Sequence, residues 1–194
     1  MDVEYIKSYI TGELRARLDP TLYYHGFHHT LDVTNAALRL AEAERIKDRE
    51  SLQLLETAAL FHDCGFLHTY QGHELEGCTI ARNVLPDFDF SENQVAIVCG
   101  MIMATRIPQE PRTQLEKIIG DADLDYLGRH DFEEVAATLY EELKVRGMVS
   151  DMTAWNQVQI RFLETHQYWT ITAQKWRDAT KQQHLDNLRA LASH

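Results

Sequence analysis

Residues 52–65 read Leu-Gln-Leu-Leu-Glu-Thr-Ala-Ala-Leu-Phe-His-Asp-Cys-Gly, and the fold turns on this stretch. Leu52, Leu55, Ala58, Ala59 and His62 recur at the three- and four-residue spacing of one helical face. The spacing predicts a helix that stops at Gly65, expected there in the left-handed conformation that suits the residue after a helix C-terminus. The apolar stripe does not end on an aliphatic side chain. It ends on an imidazole, with the Asp63 carboxylate about 100° further round.

The same feature recurs on both sides. Pro20 closes a first amphipathic segment (Val3, Ile6, Ile10, Leu14, Leu18), and a second helix, over about 27–45, aligns His29 with Val33, Ala37 and Leu40. His25 falls one turn before His29 on that face. Further on, Leu115, Ile118, Ile119 and Ala122 lead to Asp123, one turn beyond Ile119 on the buried side. Three helices thus each aim a histidine or a carboxylate inward. Buried carboxylates cost several kcal/mol unless partnered, and no Lys or Arg lies on these stripes. A divalent cation answers that need. Two imidazoles and two carboxylates suit Mn, Fe, Co, Ni or Zn, or Mg with more water, and ligand type does not choose among them.

The chain of 194 residues fits one domain, 1–194, with a motif-bearing core over about 23–128 and C-terminal helices over 131–194 packed on it. Nine glycines and four prolines leave few tight turns, so the expected class is all-α. Gly72 opens a helix carrying Leu75, Cys78 and Leu85. Ser91 with Gln94, Thr113 with Glu116 and Asp131 with Glu134 have capping-box spacing and mark three more helix starts. The pair His130-Asp131 serves as a control for His62-Asp63, since it lies off any apolar stripe and Asp131 is explained as a cap. Trp155, Phe162, Trp169 and Trp176 in the tail read as packing on two covering helices.

A net charge of −11 repels nucleic acid and anionic membrane. The longest apolar run, 95–104, is about half a membrane span. Three cysteines without a close pair fit neither a disulfide framework nor a cysteine zinc site, and a reducing cytoplasm is the expected location. Of ten histidines, His28, His166, His184 and His194 read as structural or exposed.

These residues carry a family resemblance over about 23–128. The pattern H…HD…D in helices resembles the HD-domain metal-dependent phosphohydrolases, and the nearest kin are small stand-alone bacterial HD proteins. Tyr24-His25-Gly26-Phe27-His28-His29-Thr30-Leu31-Asp32-Val33 is similar to the YHNxxHxxDV segment of class I cyclic-nucleotide phosphodiesterases, Phe61 to Gly65 to the HDxG turn, and Ala104-Thr105 to the AT step. The resemblance implies metal ligands His29, His62, Asp63 and Asp123, with Asp121 as the fallback for the last. It implies His25 as the acid for the leaving oxygen, with Asp63 as a second catalytic group that bridges to another ion or takes the proton of water. Arg106 and His73 are implied as substrate contacts. One ion is expected and a second is open, because the histidine that should follow HD is displaced to His68 or His73. Gly26 replaces the asparagine, nothing matches a nucleobase clamp, and no acidic pair follows His62-Asp63. The implied activity is hydrolysis of a small phosphoester, a nucleotide before others. Two other readings are a di-iron oxygenase, which would need two more histidines where only His68 and His73 occur, and a metal-binding sensor without turnover.

Overall fold

The computed structural model describes residues 1–192, so the expectation for His194 lies outside the described residues. Among them are nine α-helices and no strand: α1 (Val3–Arg17), α2 (Phe27–Ala43), α3 (Arg49–Phe61), α4 (His73–Val84), α5 (Glu92–Ala104), α6 (Gln114–Asp123), α7 (Phe132–Val145), α8 (Met152–Thr165) and α9 (Ile171–Ala192). Single 3₁₀ turns at Cys64–Leu67, Leu85–Phe88 and Asp125–Gly128 join several of them.

Helix α3 is the axis of the bundle. Leu54, Leu55 and every residue from Thr57 to Phe61 are buried, so the helix is covered on all sides and its apolar surface exceeds the single stripe of the periodicity. It packs against α1, α2, α5 and α6. Helices α5 and α6 start at capping boxes in which Ser91 and Thr113 accept from the third backbone N–H and Gln94 and Glu116 reach back. Asp131 does precede α7, but its side chain makes no cap; Arg129 binds both of its oxygens, at 2.9 and 2.7 Å. A bidentate arginine outcompetes two neutral amides for a carboxylate.

Gly65 also differs from its expectation. It lies within a 3₁₀ turn and not in the left-handed region, and a Cβ there would sit 1.9 Å from the carbonyl oxygen of His73. Glycine is required for close approach of two backbone segments, which brings the start of α4 against the end of α3. The left-handed residue is Gly72, at φ 71°, before α4. Leu75, expected on the buried stripe of α4, is 62% exposed.

Two apolar clusters result. The larger joins α1 to α6, and the smaller gathers Tyr24, Leu127, Phe132, Tyr140, Trp155 and Leu185 from α7, α8, α9 and the loops beside them. Asp121, wholly buried, ties them: its oxygens accept from the Trp169 and Thr170 amides at 2.7 and 2.8 Å, just ahead of α9. No described helix is long and apolar enough to cross a membrane.

Candidate metal centre and active site

The seam between the two clusters holds the expected ligands. His29 comes from the first turn of α2, His62 from the residue that ends α3, and Asp123 from the last residue of α6. Their nearest ligand atoms lie within 4.8 Å of one another. His29 Nε2 is 3.4 Å from His62 Nε2 and 3.1 Å from Asp123 Oδ1, which is 3.5 Å from His62 Nε2. Asp63 Oδ2 stands 3.2 and 3.6 Å from the His62 and His29 nitrogens.

These residues fit a bound cation on three grounds. Two ligand atoms each about 2.1 Å from one ion lie roughly 3.0 to 3.4 Å apart at octahedral or tetrahedral angles, and the observed spacings fall around that range. Asp63 Oδ2 is buried with no hydrogen-bond partner, which is costly for a carboxylate oxygen unless a cation meets it. His62 Nδ1 donates to the Ala59 carbonyl at 2.8 Å, which orients the ring so that Nε2 faces the cluster. Burial opposes ionisation of Asp63 and Asp123, but the adjoining imidazoles outweigh it, holding Asp63 well below the usual carboxylate range and Asp123 at about 2. The two carboxylates therefore demand positive charge. Among the described residues their ion-pair partners are histidines, and no Lys or Arg reaches them.

The other expected residues divide. His73, the first residue of α4, places Nε2 3.3 Å from Asp63 Oδ1 and stacks on Phe66 with ring centroids 4.0 Å apart. His68 turns away to Glu76, at 2.7 Å. Asp121 has both oxygens committed to the segment before α9 and does not join the cluster. Arg106 is exposed and lines a separate depression with Glu110, Arg112 and Glu116. The structure does not bring it to the ligands. His25 precedes α2 rather than continuing it, because Gly26 is the N-cap; its ring lies 5.9 Å from that of His29.

One residue of the site escapes the motif reading. Glu142 of α7 is wholly buried, and four donors converge on it: the backbone N–H groups of Tyr24 at 2.8 Å and His25 at 3.0 Å, the Tyr70 hydroxyl at 2.9 Å, and His25 Nδ1 at 2.5 Å. Burial alone would raise its pKa, yet these bonds, led by that from His25, hold it down to about 2. Glu142 follows Val135 and Leu139 at helical spacing, the one signal that it faces inward. The tail aromatics also do more than pack. Trp155 and Phe162 join Leu139, Leu143 and Leu163 around a cavity of about 220 Å³ that opens onto His25, Asp63, His73 and Asp123.

The HD-domain family model matches residues 26–127, just over half of the chain. Among solved structures, a predicted HD superfamily hydrolase from an uncultured Thermotogales bacterium is 25% identical, with TM-score 0.63, over 98% of this chain and 91% of its own. Bacillus subtilis YpgQ, solved in complex with ADP, is 18% identical, with TM-score 0.65, over 98% of this chain and 96% of its own. No curated protein matches. The chain belongs to the HD-domain family.

Proposed function

We propose that this protein is a metal-dependent phosphohydrolase of small phosphoesters. The observation that carries the reading is Asp63 Oδ2, buried without a hydrogen-bond partner among His29, His62 and Asp123, beside a cavity that His25 also lines. His29, His62, Asp63 and Asp123 would hold the ion. A divalent cation there supplies activation of water and neutralisation of phosphoryl charge.

The chain's own groups supply the proton handling. His25 Nδ1 is committed to Glu142, which leaves Nε2 as the nitrogen that can protonate a departing oxygen. Glu142 holds that ring in place, as a carboxylate orients a catalytic histidine elsewhere. Asp63 Oδ1, 3.3 Å from His73 Nε2, is the candidate acceptor for a proton from water. Nucleotides enter as candidate substrates from the family resemblance and from the ADP bound by YpgQ. A cytoplasmic location agrees with three cysteines that are all free and buried.

The test is a matrix of Mn, Mg, Fe, Co, Ni and Zn, each added to chelator-stripped protein, against mononucleotides, dinucleotides, alkyl and aryl phosphates. Hydrolysis, read as phosphate from monoesters and as monoester products from dinucleotides, should depend on added metal, and His29→Ala and Asp123→Ala should lose both metal content and turnover. A protein that binds metal stoichiometrically and hydrolyses no ester refutes the proposal in favour of a sensor.

A further inference from the structure

The cavity that meets the ligand cluster has a marked chemical asymmetry. Asp63, Asp123, His25 and His73 form one part of its lining; the rest is supplied mainly by aliphatic and aromatic side chains from α7, α8 and the 124–127 segment, with Tyr24 and Tyr126 among the aromatics. Two other neutral polar side chains, Thr105 and Gln159, line it too, each with one local partner. The Thr105 hydroxyl donates to the Ile102 carbonyl at 2.8 Å, and the Gln159 amide donates to Asn156 at 3.3 Å. No lysine or arginine is among the lining residues, while the carboxylates of Asp63, Glu74 and Asp123 are.

Each feature restricts what can enter. A ribose or glycerol body would bring several hydroxyls into a mainly apolar enclosure with few polar groups to meet them, and each one left unmet costs about as much as the bond it loses. A di- or triphosphate would need cations for its outer phosphates, and no lysine or arginine lines the cavity to supply them. A single phosphoryl group at the cluster leaves the apolar part of the cavity for the organic body of the ester.

We infer that the substrate is the phosphate monoester of an apolar alcohol or phenol, whose hydrocarbon body fills the cavity between Leu139, Trp155, Val158 and Phe162. The inference rests on the phosphohydrolase reading for its reaction, but not for its binding. The reaction adds water across the ester: the P–O bond to the alcohol breaks, the water oxygen joins phosphorus, and its proton balances the one given to the alcohol.

The experiment uses metal-loaded full-length protein and two series. The first is the turnover of n-alkyl phosphates from methyl to hexyl, with phenyl phosphate, glycerol phosphate, AMP and ADP. The second is the affinity of the matching n-alkylphosphonates, which cannot be hydrolysed. Expected are a rise in kcat/KM of about three- to fourfold per methylene until the cavity is full, and glycerol phosphate, AMP and ADP below butyl phosphate. Val158→Asp, at a position 39% exposed and so tolerant of charge, should flatten the series. A flat alkyl series, or a preference for ADP, overturns the inference while leaving the phosphohydrolase standing. Phosphonate affinities that climb with chain length in a protein that hydrolyses nothing would uphold the apolar site and refute the reaction. Phosphonates that bind without a slope, or fail to bind, in a protein without turnover overturn both.

Discussion

Glu142→Gln tests whether the C-terminal helices belong to the chemistry or merely cover it. The wild-type carboxylate uses Oε1 for His25 Nδ1 and the Tyr70 hydroxyl, and Oε2 for two backbone amides. A glutamine keeps one acceptor oxygen, so whichever way it turns, two donors face an NH₂ group. Each bond to a buried charged acceptor is worth roughly 1.5–3 kcal/mol, so the variant should lose on the order of 3 kcal/mol or more of stability, and Tm should fall by about 10 °C. Catalysis should fall by a separate route. With Nδ1 no longer held, the help that His25 gives the leaving oxygen, typically about 10²- to 10⁴-fold, diminishes. That help matters when the departing oxygen is a basic alkoxide and little when it is p-nitrophenolate. Turnover of an alkyl phosphate should therefore drop about 100-fold in Glu142→Gln, with p-nitrophenyl phosphate falling less than about threefold and metal content unchanged. His25→Ala should show the same leaving-group pattern, and the double variant should be little worse than either, since the two act as one unit. Equal losses on both esters at full metal content would refute the assignment of Glu142 and His25 to the leaving group.

Two further outcomes follow from packing and burial. Gly65→Ala places a methyl against the backbone of His73, with the nearest atom 1.9 Å away, so the junction of the 3₁₀ turn and α4 must open. Urea unfolding should show a loss of about 3 kcal/mol or more together with reduced metal affinity, because Asp63 and His73 flank that junction. Gly72→Ala, left-handed but with nothing within 4 Å of the new atom, should cost only about 1 kcal/mol. His166 is half-buried with an unpartnered Nε2, and burial, reinforced by the Lys181 ammonium, lowers its pKa from 6.5 to about 3. The unfolded chain takes up this proton first, so the contribution is complete above pH 6.5 and is lost progressively as pH falls towards 3. Between pH 7 and 4.5 the wild type should lose about 1–2 kcal/mol more stability than His166→Gln, with partial exposure discounted; parallel pH curves would contradict this.

The split between what the sequence discloses and what it hides follows a physical line. The ligand cluster is legible because each member extends an apolar stripe on its own helix: His29 ahead of Val33, His62 after Ala58 and Ala59, Asp123 after Ile119. A polar residue at a core position must be satisfied, and three of them on mutually packed helices most simply satisfy one another through a shared cation. Local spacing carries no such information about groups that meet across more than 100 residues. Glu142 sits in Tyr-Glu-Glu-Leu-Lys, where its spacing from Val135 and Leu139 marks no more than an inward face, and its partners are met only once α7 lies against the loop before α2. Arg106 fails for the converse reason: adjacency to Thr105 in the chain does not set direction, and Thr105 lines the cavity while Arg106, one residue on, faces a different surface. Gly65 shows a third case, where the residue type is rightly singled out but the cause is a neighbour's backbone rather than its own dihedral angle. On the proposed reading, the metal-binding half of this centre is written in helical periodicity, whereas its acid and its cavity are products of assembly. Variation in the tail would then retune what is hydrolysed while the ligand stripes stay fixed.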